Sequence, residues 1–371
     1  MIYLDYGATS LHKPPSVSRA VLRAMERCAN PGRGGYPAAS AAAETVYECR
    51  ETAGRLFDCS PEQVVITHNC THGLNIAIGS LVKPGSRVVV SGFEHNAVMR
   101  PLYHLGAETI VAGRRLFDWE DTLAEFERAL AGGADAAVFT HVSNVFGYEL
   151  PAARMAELCR EYGVPFILDA AQSAGSLPVK MKQLGAAFIA MPGHKGLLGP
   201  QGTGLLLCAS ETQPLLFGGT GSESLRRDMP ELLPERLEAG TVNVPGAAGL
   251  TAGMKHVLAF GQTISRREHR QAERCAGELK RMGFRVFSGA HQAGTVSFLP
   301  SCDCQEAAEK LTELGFCVRA GLHCAPLAHE SAGTLQTGTV RVSFGTDACD
   351  RQTDAFLHAA RCLTGAGGRP S

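Results

Sequence analysis

Short apolar runs alternate with helical patterns over roughly the first two thirds of the chain. The runs are rich in β-branched residues and predict strands at residues 64–67, 87–91, 109–112, 136–141, 165–169, 187–191 and 204–208. Between them, stretches at 38–57, 119–131 and 151–162 predict helices, the last with proline in its first turn. This alternation is typical of βαβ units. It therefore predicts a three-layer α/β domain with a mainly parallel sheet.

A change of pattern predicts a second, smaller domain. A helical pattern without strand signals runs from about residue 246 to 282. Strands are then predicted at 285–287, 295–298, 317–320 and 340–344, alternating with helices at 304–314 and 350–363. We therefore expect a large domain over residues 15–245. A small α+β domain would comprise residues 1–14 and 246–371, with the long helix as the bridge between the two.

Charge and composition limit the classes of partner that the protein is expected to bind. Lys plus Arg (35) nearly balance Asp plus Glu (36), which argues against a nucleic acid or an anionic membrane as a partner. The sequence has no targeting segment and no apolar run of membrane-spanning length, so it predicts a cytoplasmic location.

Cysteine and histidine spacing does not predict a metal site. Thirteen cysteines, odd in number and scattered, are expected to be mostly free thiols. Cys302 and Cys304 lack a second ligand pair, and His68 and His72 lack the glutamate of a zinc-protease motif.

Polar residues follow several predicted strands, where ligands bind in open α/β sheets. Thr71, in "THNCTHGL", opens a helix whose N-terminus could hold a phosphate. Simple capping by Asn69 or Thr71 is the alternative. His95 in "SGFEHNAV" and Asn144 in "HVSNVFG" fall on the same edge of the sheet. A lone histidine at such a place is more often a cap than a catalyst.

Two charged residues stand in apolar strands and need partners. Asp169 ends the strand in "FILDAAQSAG", with Gln172 three residues later, and a buried carboxylate requires a cationic or strongly donating group. Arg341 lies in "VRVSFG" of the small domain, where its guanidinium requires a carboxylate. That carboxylate could belong to a substrate or to a structural ion pair.

Lys195, in "GHKGLLG", is the candidate for covalent chemistry. The segment is not a phosphate-binding P-loop, because Gly196 follows the lysine where Ser or Thr is required. A lysine enclosed by glycines and apolar residues has a lowered pKa and can form a Schiff base as a free amine. Pyridoxal phosphate (PLP) would account for the set, with its aldehyde on Lys195, its pyridinium nitrogen at Asp169 and its phosphate near Thr71.

The motifs, taken in order, resemble one family. These are "YLDYGATS", "THGLN", "EHNAV", "HVSNVFG", "LDAAQSAG", "GHKGLLGPQGTG", "EAGTVNVPG", "RAGLHCAP" and "VRVSFG". The chain is similar, over nearly its whole length, to class V aminotransferase-fold PLP enzymes of fold type I. More narrowly, it resembles the cysteine desulfurase and selenocysteine lyase branch.

The resemblance implies roles for the cofactor-binding residues. Lys195 would bind the PLP aldehyde, Asp169 the pyridine nitrogen and Gln172 the phenolic oxygen. His95 would stack on the ring and help to move protons. The phosphate ligands would be Thr71 and His194 of one subunit and Thr241 of its neighbour, which implies a homodimer with shared active sites.

The resemblance also implies which residues bind the substrate and which residue accepts its sulfur. Asn144 and Arg341 would hold the substrate carboxylate, with Arg319 nearby. Cys324 would accept sulfur from L-cysteine as a persulfide and release L-alanine. His323 and Arg319 are candidates for the positive field that favours a thiolate. A buried, inert Cys324 is the alternative.

Two positions depart from the family pattern, and several functions stay open. Pro192 replaces a phosphate-binding serine of many relatives, and Cys70 stands where threonine or alanine is more usual and is interpreted as a small filler. The short loop around Cys324 resembles enzymes that pass sulfur to an acceptor protein. Alternatives to desulfuration are selenocysteine lyase activity, a class V transaminase or lyase acting on another amino acid, and a scaffold without catalysis.

Overall fold

The helices lie close to where the hydrophobic pattern predicts them. The computed structural model describes residues 1–32 and 34–364, so the tail assigned to the small domain lies outside the described residues from residue 365 onward. The helices are α1 Pro15–Arg27, α2 Pro37–Phe57, α3 Cys70–Leu81, α4 Asn96–His104, α5 Trp119–Ala131, α6 Ala152–Glu161, α7 Met181–Leu184, α8 Val244–Arg281, α9 Cys304–Glu313, α10 Pro326–Ala332 and α11 Asp350–Ala360.

The strands agree with the prediction to within a residue or two, with one exception described below. They are β1 Ile2–Tyr3, β2 Val64–Thr67, β3 Arg87–Ser91, β4 Glu108–Ala112, β5 Ala136–Thr140, β6 Phe166–Asp169, β7 Phe188–Pro192, β8 Gly204–Cys208, β9 Arg285–Phe287, β10 Thr295–Leu299, β11 Phe316–Cys317, β12 Arg319–Gly321 and β13 Thr339–Ser343.

A seven-stranded sheet forms the middle layer of the larger part of the molecule. Its order is β2-β8-β7-β6-β5-β3-β4. All neighbouring strands are parallel except those that pair with β8. Val89 of β3 joins the apolar cluster with α2, α5 and α6, whereas Val88 and Val90 join the cluster with α3 and α4 on the opposite face. The predicted three-layer α/β fold with a mainly parallel sheet is confirmed.

The smaller part contains a four-stranded antiparallel sheet in the order β12-β13-β10-β9. The single strand predicted at 317–320 is wrong. The chain pairs with β1 through Phe316 and Cys317, and then with β13 from Arg319 onward, so it forms two short strands in two different sheets.

Helix α8 contributes to both hydrophobic cores. Leu250 and Met254 in its first half pack into the core of the large sheet, whereas Cys275 and Leu279 near its end pack into the core of the small sheet. The bridging role expected of this helix fits that packing, and the residue limits of the two domains stay a prediction.

Two general features bear on the expectations from composition. All thirteen cysteines lie within the described residues, and none of them is paired in a disulfide. Within residues 1–32 and 34–364, we find no helix that combines the length and the apolar character needed to cross a membrane.

Candidate active site

The turn between β7 and β8 presents Lys195 at the edge of the large sheet. Its glycines allow close packing: a Cβ on Gly193 would lie 2.1 Å from Thr203 Oγ1, and one on Gly196 would lie 2.4 Å from Ala174 O. Lys195 is enclosed by protein but retains accessible surface in a cavity. Burial lowers the pKa of Lys195, against the opposing charge of Asp169, as the sequence predicts.

That cavity brings together most of the residues singled out from the sequence. Its lining includes Thr71, His95, Asn144, Asp169, Gln172, Pro192, His194, Lys195 and Cys70. They come from the carboxyl ends of neighbouring strands and the helix N-termini that follow, which is where a doubly wound sheet collects ligand-binding groups.

Asp169 is the last residue of β6, and its carboxylate accepts hydrogen bonds from a backbone N–H and from a thiol. Its Oδ1 accepts a hydrogen bond from Ala171 N at 2.9 Å and one from Cys70 Sγ at 3.5 Å. Burial and the Asp169 charge raise the pKa of the Cys70 thiol well above its usual value, so Cys70 stays protonated and donates. The described residues form no ion pair with Asp169 within 4.0 Å, and its carboxylate lines the cavity that contains Lys195.

The N-terminus of α3 opens onto the same cavity. Asn69 is the cap: its Oδ1 accepts from His72 N at 2.9 Å. The capping alternative thus holds for Asn69, while Thr71 lies exposed in the first turn and lines the cavity. Nearby, His194 Nδ1 lies 3.0 Å from Thr9 Oγ1. Burial and the charge of Lys195 lower the pKa of His194 to about 4, so its ring is neutral near pH 7.

His95 is both a helix cap and part of the cavity lining. Its Nδ1 accepts from Ala97 N at 3.0 Å at the start of α4, which leaves the proton of the neutral ring on Nε2. Burial lowers the pKa of His95, and the charge of Asp169 opposes that shift. Gln172 Nε2 donates to Gly7 O at 2.9 Å, so the N-terminal segment also contacts this edge.

Arg341 has a carboxylate partner within the chain. Its Nη2 lies 2.6 Å from Asp5 Oδ1, and its Nη1 donates to Asn144 O at 2.9 Å, while its buried Nε has no partner among the described residues. The structural ion pair left open by the sequence is therefore present. Arg319 is half-exposed, with its Nε 3.5 Å from Asp5 Oδ2. A Cβ on Gly7 would lie 3.1 Å from Arg341 Cζ, so the guanidinium packs on backbone there.

Cys324 lies on the loop between β12 and α10 and its side chain is exposed, so the buried-filler alternative for this cysteine is wrong. Asn144 Nδ2 donates to His323 O at 2.8 Å, which ties the loop to the cavity rim. Burial, followed by the charge of Arg341, lowers the pKa of His323 to about 2. The expectation that His323 supplies positive charge is therefore wrong, because a buried ring beside Arg341 stays neutral.

Thr241 lies apart from these groups. It is exposed and lines a separate cleft with His68, His72 and Asn243, next to the first turn of α3. The single chain therefore does not bring Thr241 into the cavity that contains Lys195.

Sequence reasoning missed two carboxylates of the site. Asp5 stands in the quoted segment "YLDYGATS" but received no role, although an acid beside an apolar strand is a signal for a buried ion pair. Glu94 precedes His95 and is completely buried. Its signal is a carboxylate that comes three residues after the end of an apolar strand.

Comparisons with known proteins agree with this fold. A family model described as Aminotransferase class-V matches residues 2–356. A probable cysteine desulfurase of Methanothermobacter thermautotrophicus is 31% identical over 358 residues, which cover 92% of this chain and 89% of the relative. A probable cysteine desulfurase of Pyrococcus abyssi is also 31% identical, covering 96% of this chain and 92% of the relative.

Solved structures give the same result. The apo cysteine desulfurase of Thermococcus onnurineus superposes with a TM-score of 0.90 at 30% identity, covering 98% of this chain and 94% of that one. The Escherichia coli cysteine desulfurase CsdA, in an S-sulfonic acid form, gives 0.85 at 26% identity, with 96% and 93% covered. The chain belongs to the class V aminotransferase family. Its resemblance to the cysteine desulfurase branch is confirmed, and it is an enzyme of that type.

Proposed function

We propose that this enzyme is a PLP-dependent cysteine desulfurase that converts L-cysteine to L-alanine and takes up the sulfur on Cys324. The observation that carries the proposal is the pairing of two features. An enclosed lysine with a lowered pKa shares a cavity with Asp169, and an exposed cysteine lies on a loop bonded to the rim of that cavity. The names of the relatives support the same activity.

The residues of the cavity fit PLP. Dependence on this cofactor is a general property of the family. When bound, the cofactor supplies an electron sink for the substrate carbon. Lys195 would hold its aldehyde, and the Asp169 carboxylate would keep its ring nitrogen protonated. Gln172 would donate to its phenolic oxygen in place of Gly7 O, and His95 would pack on its ring.

The phosphate would lie at the N-terminus of α3. Orphan N–H groups at a helix start attract anions, and the Thr71 hydroxyl and the neutral His194 ring add donors. Pro192 offers no hydroxyl at its position, so more of the binding depends on these groups. Thr241 of a second copy would add a further ligand, and for this reason we infer a homodimer.

The substrate carboxylate would meet Arg341 and Asn144. The buried Nε of Arg341 is a donor without an acceptor among residues 1–32 and 34–364, and a charge-assisted hydrogen bond to a carboxylate would satisfy it. Arg319 would extend the positive field toward the loop that carries Cys324.

Cys324 would act as the nucleophile. Its thiolate would attack the sulfur of the bound substrate, forming an S–S bond while the bond from Cβ to sulfur breaks with its electron pair on carbon. Protonation of that carbon gives alanine. The exposure of Cys324 suits transfer of the persulfide sulfur to a thiol of an acceptor protein. The cytoplasmic location stays a prediction of the sequence.

Alanine release from L-cysteine and from L-selenocysteine tests the proposal. We expect Cys324→Ala to lose cysteine turnover by about two orders of magnitude or more. Lys195→Ala should lose turnover together with the visible absorption of the bound cofactor. Cys349→Ala, which removes another exposed thiol, is the matched control and should retain both.

Other outcomes would favour the alternatives. Release from selenocysteine but not from cysteine, unchanged in Cys324→Ala, would identify a selenocysteine lyase. Full cysteine turnover in Cys324→Ala would make this thiol incidental to the reaction. Alanine release from neither substrate by the wild type would favour a transaminase or lyase acting on another amino acid.

A further inference from the structure

The loop that carries Cys324 has a strained backbone. His323 and Cys324 adopt φ values of 49° and 58°, in the left-handed region that non-glycine residues rarely occupy. Such conformations persist only where surrounding contacts hold them, and they cluster at functional sites. The bonds that hold this loop therefore decide whether Cys324 stays in its outward position.

Two hydrogen bonds fasten this loop to the large domain. Asn144 Nδ2 donates to His323 O at 2.8 Å, and Asn96 N donates to Cys324 O, also at 2.8 Å. In this geometry Cys324 is exposed and is not among the residues that line the cavity of Lys195. The loop is thus fixed with its thiol outside that cavity.

The residue that holds the loop also belongs to the expected carboxylate site. The backbone O of Asn144 accepts from Arg341 Nη1 at 2.9 Å, so the guanidinium contacts the same residue whose side-chain amide holds the loop. Arg341 in turn is bonded to Asp5, and its buried Nε finds no partner in the described part of the chain. A substrate carboxylate bound at this place would compete with His323 O for the Asn144 amide. It would also compete with Asp5 for Arg341.

We propose that Asn144 is a positioning residue that couples substrate binding to release of the Cys324 loop. The inference rests on the proposed function, since it takes Asn144 and Arg341 as the carboxylate site. A carboxylate is a stronger acceptor than a neutral carbonyl. Substrate therefore withdraws the Asn144 amide from His323 O, and the strained loop is then free to bring Cys324 toward the substrate sulfur.

Hydrogen exchange on the holoenzyme tests this coupling. The reporters are the amide of Asn96, which donates to Cys324 O, and the amide of Ala325, which donates to Leu322 O. The probe is L-alanine, which has the carboxylate and lacks sulfur. Saturating L-alanine should accelerate exchange of both reporters about five- to tenfold in the wild type, as expected for loss of one hydrogen bond. Peptides from α11 should not change.

The variants separate a coupling role from a purely structural one. Asn144→Ala should exchange fast at both reporters without alanine, and alanine should have no further effect. Ser331→Ala is the matched control, because it removes a similar bond from this part of the chain to the large domain, from Ser331 Oγ to Gly92 O. It should exchange slowly at the reporters without alanine and keep the full response.

The outcomes distinguish this inference from the proposed function. If alanine changes the cofactor absorption but not the exchange of the reporters, the coupling is wrong and the proposed function stands. If alanine leaves the absorption unchanged, the proposed function is in question. The comparison of Asn144→Ala with wild type in the absence of alanine still decides whether Asn144 holds the loop, and equal exchange rates would overturn the inference.

Discussion

Glu94 is an ionisable side chain buried next to the candidate catalytic histidine. Its Oε1 accepts from Thr140 N at 2.9 Å, from Ser91 N at 3.3 Å and from Ser91 Oγ, whereas its Oε2 has no partner among the described residues. Burial raises the pKa of Glu94 to about 8, against the opposing effect of its hydrogen bonds. The carboxyl group is therefore mostly protonated in the folded enzyme at pH 7.

This protonation gives a prediction for stability against pH. Between the unfolded pKa of about 4.5 and the folded pKa of about 8, the folded state binds more protons than the unfolded state. The contribution of Glu94 to stability is thus lost as pH rises through this window. Glu94→Gln, which cannot ionise, should match the wild type near pH 5 and exceed its free energy of unfolding by about 2–4 kcal/mol at pH 8.

Urea unfolding of the apoprotein at several pH values measures this difference. Glu313→Gln, at an exposed position in the last turn of α9, is the control and should give the same pH profile as the wild type. Parallel profiles for Glu94→Gln and the wild type would show that Glu94 is ionised in the fold.

At the scale of elements, α8 supports the turn that carries Lys195. A Cβ on Gly253 would lie 2.3 Å from Leu197 O and 2.9 Å from Leu198 C, so the helix can lie against this turn only without a side chain there. For Gly277, on the same helix, such a Cβ would meet no atom of the described residues within 4 Å beyond its chain neighbours and the nearby backbone of the helix itself. Substitution by alanine is therefore expected to have opposite effects on stability at the two glycines.

Alanine at these two positions tests the packing of α8. Gly253→Ala should lower the free energy of unfolding by about 1–3 kcal/mol and weaken cofactor retention, because the turn that includes Lys195 must shift. Gly277→Ala is the matched control and should raise the free energy of unfolding by up to about 1 kcal/mol, since alanine favours the helix. Urea unfolding and cofactor absorption after dialysis measure both effects. Equal changes in the two variants would contradict the packing argument.

At the scale of the whole molecule, apolar side chains are exposed along one segment that leads to Thr241. Phe217 is 72% exposed, and Leu215, Leu225 and Leu232 are also exposed. A segment with several exposed apolar side chains is a candidate interaction surface. The segment and the exposed Thr241 are consistent with the proposed second copy.

Substitution of Phe217 tests that assembly. Phe217→Asp should shift sedimentation from dimer toward monomer and weaken cofactor retention, because the partner's phosphate site would lose the Thr241 contribution. Leu314→Asp, at an exposed position that follows α9, should leave both unchanged. A wild type that sediments as a monomer and is fully active would contradict the shared site.

Much of the fold followed from local patterns. The strands over Arg87–Ser91 and Gly204–Cys208 and the helix over Trp119–Ala131 were predicted at their observed limits, because apolar periodicity and cap residues are local signals. The strand predicted at 317–320 failed, because its division depends on the distant partners β1 and β13.

The sequence by itself determined which residues lie at the ligand-binding edge. The ends of the strands and the turn that carries Lys195 are encoded by the local sequence. Parallel strands then bring their carboxyl ends to one edge of the sheet. Only the tertiary structure decided how those residues are held. Arg341 is paired with Asp5, which is 336 residues away in the sequence, and Asn144 is bonded to His323 O, 179 residues away. Hydrogen-bond directions between distant segments depend on how the two sheets pack, and no local pattern encodes them.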